Sequence, residues 1–227
     1  MKSEMGNEFA TAAFRMGHSM VTETLEARDL ITGDVDPERT LTLLEAFDQV
    51  SVNGTIWKHG IDIYLYGASL QEANQLDNRV VDALRGTIFD LAAMNIARGR
   101  DHHLASFQQL YEMVTGREFV DYDQLTRSQE LREAFYQIYD DPLENPIDPW
   151  IGIVSEDQYG HSMLGRVGSY IVAEQFALMR NADPYFYLWD EACLPYRAQI
   201  HNTRLSDVIR RNTRISWGDL GPNVFVL

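Results

Sequence analysis

The spacing of apolar residues along the chain is helical almost throughout. Phe14, His18, Val21 and Leu25 fall at i, i+4, i+7 and i+11, one face of a helix predicted over residues 4–25. Residues 29–40 are polar, include Gly33 and Pro37, and predict a loop. A short helix is expected at 41–48, a turn at Asn53-Gly54, and a helix at 57–66 carrying Trp57, Ile61 and Tyr64. Apolar positions from Val80 through Leu84, Ile88, Leu91 and Met94 predict one or two helices over 78–98. Helices are further expected at 103–115, 127–139, 161–180 and roughly 203–212. Between the second and third of these, Pro142, Pro146 and Pro149 require a loop, because proline cannot continue a helix. Strand-like alternation is confined to the terminal VFVL. The pattern predicts a mainly α-helical chain forming one unit over residues 1–227.

Composition narrows the function classes. Hydrophobic residues make up 45% and charged residues 23%, ordinary values for a globular protein able to bury a core. The formal charge is −15, which argues against nucleic acid, since phosphate binding needs a basic stripe. The late basic cluster RLSDVIRRNTR is one or two turns of helix and reads as a solvated or core-edge helix. Cys193 is the single cysteine, so the sequence holds no internal disulfide and no Cys-rich zinc site. No run of 18 apolar residues exists, so no membrane span is expected. The opening MKSEMGNEFA has no apolar signal-peptide core, and the compartment is left open.

His18 sits on an apolar helical face, where a histidine is either a core residue with a hydrogen-bond partner or a ligand. A buried imidazole needs both ring nitrogens satisfied, because an unpaired buried polar group costs about 1–3 kcal/mol. A ligand role does so: Nε2 binds a metal and Nδ1–H donates to an acceptor such as an asparagine carbonyl. Asn95 lies within a predicted helix, where asparagine is disfavoured; it is either an interruption or such an acceptor. Asp101, His102 and His103 invite a metal reading, but neighbours on a helix point about 100° apart and seldom chelate one ion. No G-x-G-x-x-G, P-loop, G-x-S-x-G or H-E-x-x-H pattern is present.

Two segments carry a resemblance. Asn7-Glu8-Phe9 followed by Phe14-Arg15-Met16-Gly17-His18, and Met94-Asn95-Ile96-Ala97-Arg98-Gly99-Arg100-Asp101-His102, resemble the proximal haem segments of the animal-type haem peroxidases, within the peroxidase–cyclooxygenase superfamily. LDNRVVDALRGTIFDLAAMNI, IDPWIGIVSED, GRVGSYIVAEQFALMRNADPYFY and NTRLSDVIRRNTRI with NVFV are similar to further family segments, in family order. The resemblance implies a mainly α fold, the C-terminal, proximal-haem part of the domain. It implies haem b as cofactor, with hydrogen peroxide and an unidentified electron donor as partners. His18 would be the axial iron ligand, Asn95 its hydrogen-bond partner, and Arg98 a contact of a haem propionate, with Arg15 assisting. A neutral amide acceptor would leave the imidazole less anionic than a carboxylate would, favouring a high redox potential.

The resemblance also carries departures. His103 stands where the family has glycine, so a left-handed backbone there would strain it. Ile153 also replaces a glycine, and Asn181-Ala182-Asp183-Pro184 replaces a G-D-R turn. The family's distal histidine, distal arginine, calcium loop and haem-linking carboxylates precede the proximal helix. With His18 so early, none is expected in this chain, nor peroxidase activity from it alone. Three explanations stand: a fragment of a complete peroxidase, one half of a split protein whose partner chain brings the distal part, or a non-catalytic helical interaction protein that has lost haem. A fatty-acid oxygenase of the same superfamily would use a tyrosine close to the proximal helix, and FRMGH offers none.

Overall fold

The computed structural model describes residues 4–51, 54–86, 90–216 and 218–226; the expected turn residue Asn53 and the apolar position Ile88 lie outside these ranges. The first helical stretch comes in three pieces: α1 (Asn7–Thr11), a 3-10 turn (Ala13–Met16) and α2 (Gly17–Met20). The continuous helix predicted over 4–25 is broken at Ala12, at φ −125° and ψ −69°. Packing explains the break. Phe9 and Phe14 stack with ring centroids 4.7 Å apart, whereas five residues of regular helix would turn them about 140° from one another. Leu25 leaves the helix for an antiparallel ribbon, β1 (Thr24–Leu25) with β2 (Leu41–Thr42), where it stands opposite Leu41.

After the ribbon come α3 (Leu43–Ser51), α4 (Thr55–His59) and α5 (Asp62–Leu70). The helix expected at 57–66 is split by Gly60, whose φ of +86° is a conformation that glycine adopts without a Cβ clash. Residues 78–90 are a second correction. Their described residues, 78–86 and 90, hold only the 3-10 turn Asp82–Leu84, which buries Leu84. The helix starts later, as α6 (Leu91–Asp101), because the Asp90 carboxylate accepts the Ala93 N–H and caps it. α7 (Phe107–Thr115) opens on a Ser106/Gln109 capping box and ends at Gly116 in the left-handed region. α8 (Gln129–Tyr139) is capped by Ser128. The proline loop follows as predicted, but Pro149 is already the first residue of α9 (Pro149–Ser155), where its missing N–H costs nothing. α10 (Arg166–Ala182), α11 (Arg197–His201) and α12 (Leu205–Asn212) complete the order. VFVL forms no strand over its described residues.

Contacts sort the chain into two compact units: Met1–Val21 with Gln75–Pro184, and Thr22–Asn74 with Tyr185–Leu227. The first centres on Phe107, Trp150, Ile153 and Val167, all essentially inaccessible, so α7, α9 and α10 share one core. Burying a side chain of this size stabilises by about 1.5–3 kcal/mol. Contact between α7 and α9 is close: a Cβ on Gly152 would lie 2.2 Å from the Phe107 ring. The second unit has two small clusters, one around Leu41, Ile63 and Tyr64, the other around Tyr66, Ile209 and Ile215. Arg214 joins its two chain segments, with Nε 2.7 Å from the Asp62 carboxylate.

Candidate functional site

His18 and Asn95 meet in the first unit. α2 presents His18 and α6 presents Asn95, and His18 Nδ1 lies 2.9 Å from Asn95 Nδ2 although the residues are 77 apart in sequence. Arg15, one turn before His18, donates from Nη1 to Asn95 Oδ1 at 3.2 Å. Asn95 is wholly buried, so both ends of its amide are used. Arg15 is fixed in turn: its Nε donates to the Ala10 carbonyl, and its own carbonyl accepts the Trp150 indole N–H at 3.3 Å. That bond ties the 3-10 turn to α9.

His18 is half-buried, and its Nε2 has no hydrogen-bond partner among the described residues. Burial, and next the neighbouring Arg15 charge, hold its pKa below the usual imidazole value against the opposing Asn95 bond. The ring is therefore neutral at pH 7, the form that binds metals. Arg98, one turn beyond Asn95 on α6, is exposed, and its side chain makes no hydrogen bond or ion pair among the described residues. The structure thus gathers His18, Asn95 and Arg15 into one network and leaves Arg98 as a free cation on the same helix.

Three further ties were not legible in the spacing. Asn7 Oδ1 lies 2.9 Å from His102 Nδ1, and Asn7 Nδ2 donates to the His102 carbonyl, so α1 is fastened to the end of α6. Thr11 Oγ1 donates to Asn7 Oδ1 at 3.0 Å. Arg100 grips Asp148 with two bonds of 2.8 and 2.7 Å, and the Tyr139 hydroxyl donates to the same carboxylate at 2.9 Å. Arg100 and His102 are therefore fasteners. His103 has φ +52°, the left-handed region.

A neutral imidazole held at one ring nitrogen, with the unpaired Arg98 guanidinium on the neighbouring helix, is a donor set chemically suited to an iron porphyrin with anionic side groups. The family model for animal haem peroxidase matches residues 1–225. The chain belongs to the animal haem peroxidase family. It is 28% identical over 200 residues to Peroxidasin of Drosophila melanogaster, covering 82% of this chain and 13% of that protein. It is 26% identical over 233 residues to Peroxinectin A of Dictyostelium discoideum, covering 99% and 42% respectively. Peroxidase A from Dictyostelium discoideum has a similar fold, with a TM-score of 0.84 at 24% identity, over 98% of this chain and 43% of that one. A fatty acid alpha-dioxygenase from Oryza sativa shares the fold too, with a TM-score of 0.78 at 17% identity, over 98% and 40%. The chain thus spans less than half the length of these relatives. Membership of the animal haem peroxidases implies a haem cofactor.

Proposed function

We propose that this chain supplies the proximal, iron-holding side of a haem b peroxidase, with both compact units belonging to one partial peroxidase domain. His18 binds the iron through Nε2, Asn95 orients the imidazole, and Arg98 and Arg15 pair with the haem propionates. The observation that carries the reading is the His18–Asn95 contact of 2.9 Å, which engages Nδ1 and leaves Nε2 without a partner among the described residues. Bound haem would supply the redox chemistry, in which hydrogen peroxide is reduced to water by two electrons that a donor gives up. The residues of this chain hold the imidazole neutral, fix its plane and balance the negative charge of the porphyrin side groups. Peroxide cleavage also needs a base and a cation on the opposite face. This reading gives those roles to no residue of the chain, so the haem-loaded chain is expected to oxidise donors slowly.

The test is a haem titration of the purified chain, followed in the Soret band, beside His18→Ala. A one-to-one complex whose ferric spectrum changes when His18 is lost supports the assignment. Identical binding by both proteins, or by neither, removes it.

A further inference from the structure

The orientation of the Asn95 amide has a consequence for His18. Arg15 Nη1 can only donate a hydrogen bond, so the atom 3.2 Å from it must be the Asn95 oxygen. The NH₂ group is then left to face His18 Nδ1 at 2.9 Å. An NH₂ group also only donates, so Nδ1 must accept. A neutral imidazole that accepts at Nδ1 carries its proton on Nε2. Iron binds at an unprotonated nitrogen. The arrangement seen here and ligation through Nε2 therefore exclude each other.

We propose that the Asn95 amide is a two-position switch and that Arg15 is the positioning residue that sets it. In the first position Arg15 holds the carbonyl, the NH₂ donates to His18 Nδ1, and the proton sits on Nε2. In the second, the amide is turned over, its carbonyl accepts from Nδ1–H, and Nε2 presents its lone pair. One proton leaves Nε2 for solvent and one is taken up at Nδ1, so the charge of the ring is unchanged. Turning the amide points its NH₂ at the guanidinium, donor against donor, and Arg15 has to let go. The freed cation is then available to a porphyrin carboxylate. Arg15 thus opposes ligation while it holds Asn95 and favours the porphyrin once released. The Nε2–H tautomer stands on geometry alone. The second position rests on the proposed role of His18 as axial ligand.

The experiment reads the ring nitrogens of His18 by ¹⁵N NMR in the full chain, without porphyrin and with zinc protoporphyrin IX, which is diamagnetic. Without porphyrin, a protonated Nε2 and an unprotonated Nδ1 are expected. Arg15→Met should move the tautomer ratio toward Nδ1–H by about tenfold, the worth of one charge-assisted hydrogen bond. Arg15→Lys, which keeps a cationic donor, should restore the wild-type tautomer, a recovery that a purely structural role would not produce. With zinc protoporphyrin, the proton should appear on Nδ1. A wild-type His18 protonated on Nδ1 overturns the switch, a result that needs no variant to fold, and so does a ratio unmoved by Arg15→Met. If zinc protoporphyrin binds His18→Ala as it binds wild type, the ligand role fails, while the tautomer measurements still decide the part played by Arg15.

Discussion

Asn7 and His102, 95 residues apart, are joined twice, from Asn7 Oδ1 to the imidazole Nδ1 and from Asn7 Nδ2 to the His102 backbone carbonyl. The first helical piece and the end of α6 are therefore fixed to each other one end away from the His18–Asn95 contact. α1 is also held to α10, where Gly6 N–H donates to Gln175 Oε1 at 2.7 Å and Phe9 packs edge-on to Phe176. Asn7→Ala should cost about 1 kcal/mol in urea denaturation, the worth of exposed neutral hydrogen bonds. The same variant should weaken haem binding, because His18 and Asn95 would no longer be held in register.

Gly152 on α9 faces the Phe107 ring, and an added Cβ would sit 2.2 Å from it. Phe107 is wholly buried and cannot swing aside. Gly152→Ala should therefore destabilise the chain by about 1–3 kcal/mol through overpacking. Phe107→Leu in the same chain should recover part of that loss. A single variant as stable as wild type in thermal denaturation would show that α7 and α9 are not this close.

His103 is held at φ +52° directly after α6. The family resemblance puts glycine at this position, and the structure supplies the reason. His103→Gly removes a Cβ from the left-handed region, where a side chain costs about 1 kcal/mol, less the added backbone freedom of the unfolded state. A small rise in melting temperature is expected, with the His18 environment unchanged.

Legibility in the sequence followed the length and regularity of each element. α7, α8, α10 and α12 each lay one apolar stripe against a neighbour, and their periodicity placed them within a few residues, apart from a late start for α10. The break at Ala12 was invisible because it depends on Phe9 finding Phe14, with Phe176 edge-on to both. Glu191–Tyr196 and α11 bury no residue and left no periodic signal. The site divides the same way. His18 and Asn95 were found by motif. The hold of Arg15 on Asn95 and the meeting of Arg100, Tyr139 and Asp148 join distant segments, and no spacing rule reports them.

Glu156 gives the chain a pH dependence. Its carboxylate accepts the Val167 N–H at 2.9 Å at the start of α10. Burial nonetheless pushes its pKa up to about 7, against backbone bonds from Val167 and Arg166 that oppose the shift. Between its ordinary value of 4.5 and about 7, the folded chain keeps a proton that the unfolded chain has lost. Stability from this group is thus highest below pH 4.5, falls as pH rises to about 7, and is level above. The change is up to about 3 kcal/mol. Glu156→Gln keeps an acceptor for Val167 without the charge. Relative to wild type it should gain stability between pH 5 and pH 8 in urea denaturation; equal slopes for the two proteins would refute the assignment.

Asn95→Asp tests the electronics of the site. A carboxylate at this position accepts from Nδ1–H more strongly than an amide does, making the imidazole a better donor to iron and stabilising the ferric state. The reduction potential of the haem-loaded chain should fall, on the order of 100 mV. Arg15 lies 3.2 Å from the position of the side-chain oxygen and would pair with the new charge, which tempers the drop and lets the buried aspartate be tolerated. Asn95→Asp with Arg15→Met should fall further than Asn95→Asp alone, provided the double variant folds. A potential that does not move in the single variant would mean that Asn95 does not act on the iron through His18.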